Sequence, residues 1–320
     1  MAQEAPHNAL RVAARLANGF ALDLVKLGGF GRDVIDGLLL VAISQANVAQ
    51  IIRDPDLQLA YAALDQAPPD DMRRPVSISA IANSLRIPFE TARRRIATLT
   101  ELGLLKTERR GVILPQAPLS SPFYRLGAEA NYGLVRNLYY RLRGIGLLEG
   151  LPRPNGPAFD PQHPPVRLVI RLSSSYLLRL VEPLSENIGD LVSALVMMDV
   201  IHANTEGLSD SQGGATDGAW TPEGFVADQH RKPVSVSALS GRLGIPAETV
   251  RRHLARLVQN DLCERVAEGH LVPARVLARE PFVQFMTANH LNLHRLYTSL
   301  AEFGVLSEWE REVLRLRGAA

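Results

Sequence analysis

Apolar residues recur at three- and four-residue spacing through residues 8–26 and 32–52, which predicts two helices. A short helix near Leu57–Leu64 and a polar, Pro-rich stretch, Gln66–Arg74, come next. After a short extended piece, Pro75–Ile78, Ser77 or Ser79 can cap a helix running to Leu85, because a serine oxygen satisfies free backbone N–H groups there. Arg86-Ile87-Pro88 makes a turn, and Pro88 sits in the first turn of a second helix, where its missing N–H costs nothing. That helix carries Ala92, Ile96 and Leu99 on one face and stops at Gly103, a residue suited to a left-handed end. Leu104–Glu108 and Val112–Leu114, separated by Arg109-Arg110-Gly111, predict a β-hairpin. A long helix from Pro122 to Arg143 closes the pattern.

The whole pattern then occurs again. Pro75–Lys106 (PVSISAIANSLRIPFETARRRIATLTELGLLK) and Pro233–Glu264 (PVSVSALSGRLGIPAETVRRHLARLVQNDLCE) agree at 15 of 32 positions without a gap. Asp33, Leu38, Ala46 and Asn47 match Asp190, Leu195, Ala203 and Asn204, and downstream Asn131, Leu138 and Tyr139 match Asn289, Leu296 and Tyr297. This is the signature of an internal duplication. The expected units are Asn8–Glu149 and Val166–Leu316, with Gly150–Pro165 as a stiff connector carrying six prolines. In the second copy the hairpin turn becomes Ala267-Glu268-Gly269 and Asp261 replaces the stop glycine. Gly207–His230, rich in Gly and Ser, has no counterpart and reads as a flexible loop. The expected fold class is mainly α with small β-wings, the two units being paired by their flanking helices.

With 320 residues and 46% hydrophobic content the chain can bury a large core. Cys263 is the only cysteine, which excludes a disulfide framework and a cysteine-based zinc site. The amino terminus carries charges across its apolar stretch, and the most apolar runs, Val34–Ile43 and Leu191–Ile201, are too short to span a membrane. The expectation is a soluble cytoplasmic protein. Net charge is only +2, yet Arg73–Leu119 holds +6 and Arg231–Leu277 holds +4, which leaves −8 for everything else. Basic charge is thus concentrated in the two repeated modules, as contact with phosphates through counterion release requires.

Helix, short turn, helix and a two-stranded wing resemble the winged helix-turn-helix regulators of bacteria. The resemblance is carried by SAIANSLRIPFETARRRIATLTELGLL and SALSGRLGIPAETVRRHLARLVQNDL. With the flanking helices it points to the multiple-antibiotic-resistance-regulator (MarR) type, whose terminal helices pair two subunits over DNA; the wing here is shorter and lacks that family's usual acidic–arginine pattern. The resemblance implies double-stranded DNA as the partner. Physical reading of the residues agrees, since an α-helix fits the major groove and arginine bonds guanine O6 and N7. Thr91, Arg93, Arg94 and Arg95, and in the second copy Thr249, Arg251, Arg252, His253 and Arg256, are the candidate groove contacts. His253, in the place of Arg95, reads as a packing or phosphate-contact residue. Arg109 and Arg110 at the hairpin tip suit phosphates or a minor groove, and Arg73, Arg74, Arg231 and Lys232 suit backbone contacts.

No catalytic, cofactor or metal motif competes. Gly28-Gly29-Phe30-Gly31 lacks the third glycine and preceding strand of a dinucleotide loop, and no metal spacing is found. The expected function is a transcription regulator acting as a covalent pseudo-dimer on an imperfect palindrome, because the two recognition helices differ. A plasmid-type replication initiator with tandem winged helices and a winged-helix protein-interaction scaffold are the alternatives; further homodimerisation is left open. Regulators of this resemblance often hold a small effector. Tyr132, Tyr139, Tyr140 and Tyr297 are the candidate lining for one, with plain core as the competing reading.

Overall fold

The computed structural model describes residues 7–152, 159–160, 162–208 and 220–318, and within them the chain is mainly helical with two small antiparallel two-stranded sheets. Helix α1 (His7–Gly28) leads into α2 (Val34–Asn47), which starts at Asp33, whose carboxylate accepts the backbone N–H groups of Ile35 and Asp36. Helices α3 (Ala49–Arg53) and α4 (Pro55–Ala60) follow. The stretch expected as one helix over 32–52 is therefore broken at Val48. The helix expected near Leu57 starts earlier, since Asp54 caps it and Pro55 fills its first position.

Helices α5 (Ile78–Leu85) and α6 (Phe89–Glu101) form a tight pair. Ser77 caps α5 by accepting the N–H of Ala80 at 3.1 Å. The turn between them passes through Arg86 in the left-handed region at φ +52°, and Pro88 stands just outside α6 as its N-cap. Strands β1 (Lys106–Glu108) and β2 (Gly111–Ile113) pair with Thr107 opposite Val112, and α7 (Pro122–Gly144) ends the first half. Val76 forms an isolated bridge beside this hairpin, exchanging both backbone hydrogen bonds with Val112 at 3.1 and 2.9 Å. The close approach explains Gly111. Its φ is +139°, and a Cβ there would lie 2.3 Å from the Val76 carbonyl oxygen.

The second half comprises α8 (Val166–Ile188), α9 (Leu191–Thr205), α10 (Val236–Leu243), α11 (Ala247–Gln259), β3 (Glu264–Val266), β4 (Gly269–Leu271), α12 (Ala274–Leu277), α13 (Glu280–Glu302) and α14 (Val305–Gly318). From α5 to α7 every α-helix and strand recurs with both boundaries displaced by the same amount, Ile78–Leu85 becoming Val236–Leu243 and Pro122–Gly144 becoming Glu280–Glu302; only the short turn before the long helix differs, Pro118–Ser120 being a 3-10 turn where α12 is an α-helix. Val234 bridges His270 as Val76 bridges Val112, and a Cβ on Gly269 would meet the Val234 carbonyl oxygen at 2.4 Å. Asp261, in the place of Gly103, takes the left-handed conformation at φ +56°.

The long helices share one apolar core. Helix α1 packs on α2 and α7 of its own half and on α9 and α13 of the other, while α8 packs on α9 and α13 and on α2 and α7. Hydrogen bonds cross the same seam: Asn18 Nδ2 donates to the Met198 carbonyl at 2.7 Å, Gln45 Nε2 to the Arg171 carbonyl at 2.7 Å, and Tyr297 Oη to the Val135 carbonyl at 3.0 Å. Helix α14 reaches across to α7, where Trp309 is fully buried and donates to Tyr132 Oη at 2.7 Å.

The piece expected as a flexible loop, Gly207–His230, is partly packed. Residues 209–219 lie outside the described residues. Residues 220–230 contain two short 3-10 turns, with Phe225 buried and Arg11 set over the rings of Trp220 and Phe225 at 5.8 and 5.7 Å. Of the expected connector, residues 153–158 and 161 also lie outside the described residues. Among the described residues no helix is long and apolar enough to cross a membrane.

Candidate nucleic-acid interface

Helix α6 buries Ala92, Ile96 and Leu99, and α11 buries Val250, Leu254 and Leu257, the inward positions expected from their spacing. A helix so anchored presents its other face to solvent. On that face Arg93 and Arg94 are exposed in α6, and Arg251 and Arg252 in α11. Arg93 is held by Glu90 at 2.9 Å, one turn back, and Arg251 pairs with Glu248 in the same way. Thr91 and Thr249 are half-buried. Arg74 and Lys232 are exposed near the bridging residues Val76 and Val234, and Arg109 and Arg110 are exposed in the hairpin turn.

Four of the expected contacts point elsewhere. Arg73 and Arg231 are buried, at 5% and 4% exposure, and are not available to a phosphate backbone. Arg73 Nη2 donates to the Pro68 carbonyl at 3.0 Å, and its Nε lies 3.3 Å from Asp70. Arg231 Nε donates to the Val226 carbonyl and to Asp228, both at 3.1 Å. Asp70 and Asp228 in turn accept the N–H groups of Gln116 and Ala274, each at 2.7 Å, so each pair staples the approach to the module onto the chain leaving its hairpin. Burial lowers the pKa of both arginines, with the neighbouring aspartates opposing it.

Arg95 is turned onto α2, where Nη1 donates to Asp33 at 2.8 Å and to Asp36 at 2.6 Å. Desolvation alone would lower its pKa, but the two carboxylates outweigh it and hold it above the usual arginine value. His253 is turned onto α9 in the same way. Its Nδ1 lies 2.8 Å from Ser193 Oγ and 3.4 Å from Asp190, and burial pushes its pKa down. Arg256 keeps an exposed guanidinium but binds Asp190 at 2.8 Å. Asp33 and Asp190 thus do two things each: they cap a helix and anchor the helix that carries the exposed arginines.

Asn47 and Asn204 match in sequence, and the sequence alone gives neither a role. Both are buried, and each amide is fully used. Asn47 Nδ2 donates to the carbonyls of Arg74 at 2.8 Å and Val112 at 3.1 Å, while its Oδ1 accepts the Leu114 N–H at 2.8 Å. Asn204 makes the same three bonds to Lys232, His270 and Val272 at 2.7, 3.2 and 2.9 Å. An asparagine that recurs at the end of an apolar helix was the available signal.

The tyrosines proposed as an effector lining are packed instead. Tyr139 and Tyr297 are buried, and Tyr132 and Tyr139 lie against Trp309 with ring centroids 5.7 Å apart in each case. Tyr139 Oη donates to Glu310 at 2.6 Å, and burial pushes its pKa up to about 12. A partly open apolar cavity of about 100 Å³ lies elsewhere, among α1, α9 and α13, with Arg231, Asn18, Met198 and Phe282 in its wall. Among the described residues no group of His, Cys, Asp and Glu side chains could hold a metal ion. Comparison of the chain with protein-family models, with curated proteins and with solved structures finds no match.

Proposed function

We propose that the chain is a sequence-specific regulator of transcription that binds double-stranded DNA through two winged helix-turn-helix modules, one in each half. In this reading the halves descend from a duplication and form a covalent pseudo-dimer, with α1, α7, α8 and α13 as the pairing helices. The reciprocal packing of α1 on α9 and α13, and of α8 on α2 and α7, is the pattern an isologous interface gives. Helices α6 and α11 are the recognition helices, and the hairpins β1–β2 and β3–β4 are the wings.

One observation carries the reading. At equal positions in the two halves a helix is locked to the body by a residue turned inward, Arg95 or His253, while the two residues before each lock remain exposed arginines. That is how a rigid element offers guanidinium groups to a major groove. The wings differ, with Arg109 and Arg110 at one tip and Ala267 and Glu268 at the other. The site is accordingly an imperfect palindrome with half-sites about one helical turn apart.

Selection from a pool of random duplexes tests this, with Arg93→Ala/Arg94→Ala and Arg251→Ala/Arg252→Ala proteins in parallel. Each pair of substitutions is expected to erase the preference for one half-site. Directly repeated sites would point to a tandem-module replication initiator, and no enrichment at low salt would point to a protein-binding scaffold.

A further inference from the structure

Phe89 is the first residue of α6 and is 45% exposed, although the other large apolar side chains of that helix, Ile96 and Leu99, are buried. Among the described residues the exposed large apolar side chains are Phe89, Leu102, Phe123, Leu126, Val258 and Leu291. Only Phe89 stands in the opening turn of one of the two arginine-bearing helices. Pro88 precedes it at φ −56°, which fixes the direction in which the helix starts. Arg93 lies one turn further along, so the ring and the guanidinium are neighbours on the helix surface. In the other half Ala247 occupies the same place, before Arg251.

An exposed ring and an arginine side by side match what a base sequence displays in the major groove. Guanine offers O6 and N7 to the guanidinium, and thymine offers the one apolar group there, its C5-methyl. The first residues of a recognition helix are the ones that reach base edges. We propose that Phe89 packs on the 5-methyl group of a thymine in the half-site taken by the first half of the chain. Ala247 offers a single methyl at the corresponding place, so the contact is stronger in one half-site and fixes which way round the protein sits. The inference rests on the DNA-binding reading above and adds the base that one residue selects.

The test uses the full chain and the duplex it selects, with deoxyuridine replacing thymidine in one half-site at a time, a change that removes only the methyl group. Dissociation constants are measured by fluorescence anisotropy for the wild type and for Phe89→Ala, and thermal unfolding checks that the variant keeps its fold. Substitution in the first half-site is expected to weaken wild-type binding about fourfold, the worth of one buried methyl group. Phe89→Ala, which leaves only the single methyl that Ala247 offers in the other half, is expected to lose most of the discrimination, and Phe89→Leu to keep most of it. A wild type indifferent to the methyl groups, or a loss that persists undiminished in Phe89→Ala, overturns the proposal while leaving DNA binding intact. Failure of the wild type to select any duplex overturns the DNA reading and this inference together.

Discussion

Arg95→Ala separates a residue that holds the proposed recognition helix from those proposed to face DNA. Arg95 is 21% exposed along its side chain and contacts Asp33 and Asp36, the latter only 2% exposed. Removing one partner of a buried ion pair costs about 3–5 kcal/mol, chiefly because the other charge is left without compensation. Here Arg32 still holds Asp36 at 2.6 Å and Arg95 is partly solvated, so the expected loss is smaller, about 2 kcal/mol. With a urea dependence of about 1–3 kcal/mol per molar, the midpoint of unfolding followed by circular dichroism should fall by about 1 M. Arg93→Ala is the control. Its guanidinium meets only the exposed Glu90, so stability should change by less than about 0.5 kcal/mol. In DNA binding the order reverses: Arg93→Ala should weaken affinity by about 1–3 kcal/mol at a base contact, and Arg95→Ala should weaken it only as far as α6 loosens. An Arg95→Ala protein with wild-type stability and the DNA defect expected of Arg93→Ala would refute the reasoning, because Arg95 would then leave Asp33 and Asp36 to contact DNA.

Two further outcomes follow from buried polar groups. Asn47→Ala leaves the Leu114 N–H without its acceptor and removes two donors, for a loss of about 2–4 kcal/mol; Asn204→Ala should cost a similar amount, and urea unfolding of each measures it. His202, His253, His270 and His290 all have pKa values lowered by burial, so each favours the folded state in its neutral form. The unfolded chain then takes up protons first, and stability is expected to fall as pH drops below about 6.5, a loss that His253→Gln should reduce in thermal melts at pH 7.5 and 5.5.

The modules were legible because local chemistry writes them twice. A serine cap, an Ile-Pro turn, three apolar positions on one helix face and a Gly just after a two-residue hairpin turn each leave a mark within a few residues. The charge of a module was legible too, but its direction was not. Arg93 and Arg95 are alike in sequence, and what separates them is a carboxylate supplied from elsewhere in the chain: Asp33 lies 62 residues from Arg95. Arg73 and Arg231 are turned inward by groups three and five residues before them, Asp70 and Pro68 in one half and Asp228 and Val226 in the other. Periodicity could have hinted at Arg95, which follows the buried Ala92 by one turn. It could not have named Asp33 as the partner. Trp220 and Phe225 were hidden for a related reason, since a Gly- and Ser-rich neighbourhood masks two aromatic anchors whose partner, Arg11, lies in α1.

The two locks differ in residues and agree in charge. Arg95 and Arg32 face Asp33 and Asp36 in the first half, and Arg256 faces Asp190 in the second, with a histidine bound to the Ser193 hydroxyl. Asp36 and Ser193 follow their cap residues by three positions each, so the exchange of Arg95 for His253 accompanies the exchange of Asp36 for Ser193. Each set is neutral with the histidine unprotonated. An Arg95→His protein should therefore be destabilised by about 2 kcal/mol at pH 7.5, because a neutral imidazole leaves one carboxylate uncompensated in a partly buried site. Adding Asp36→Ser should recover at least about 1 kcal/mol, the usual scale of coupling between residues in one network. Losses that simply add in the double variant would mean that the two positions do not sense each other's charge, and the neutral-lock account would fail.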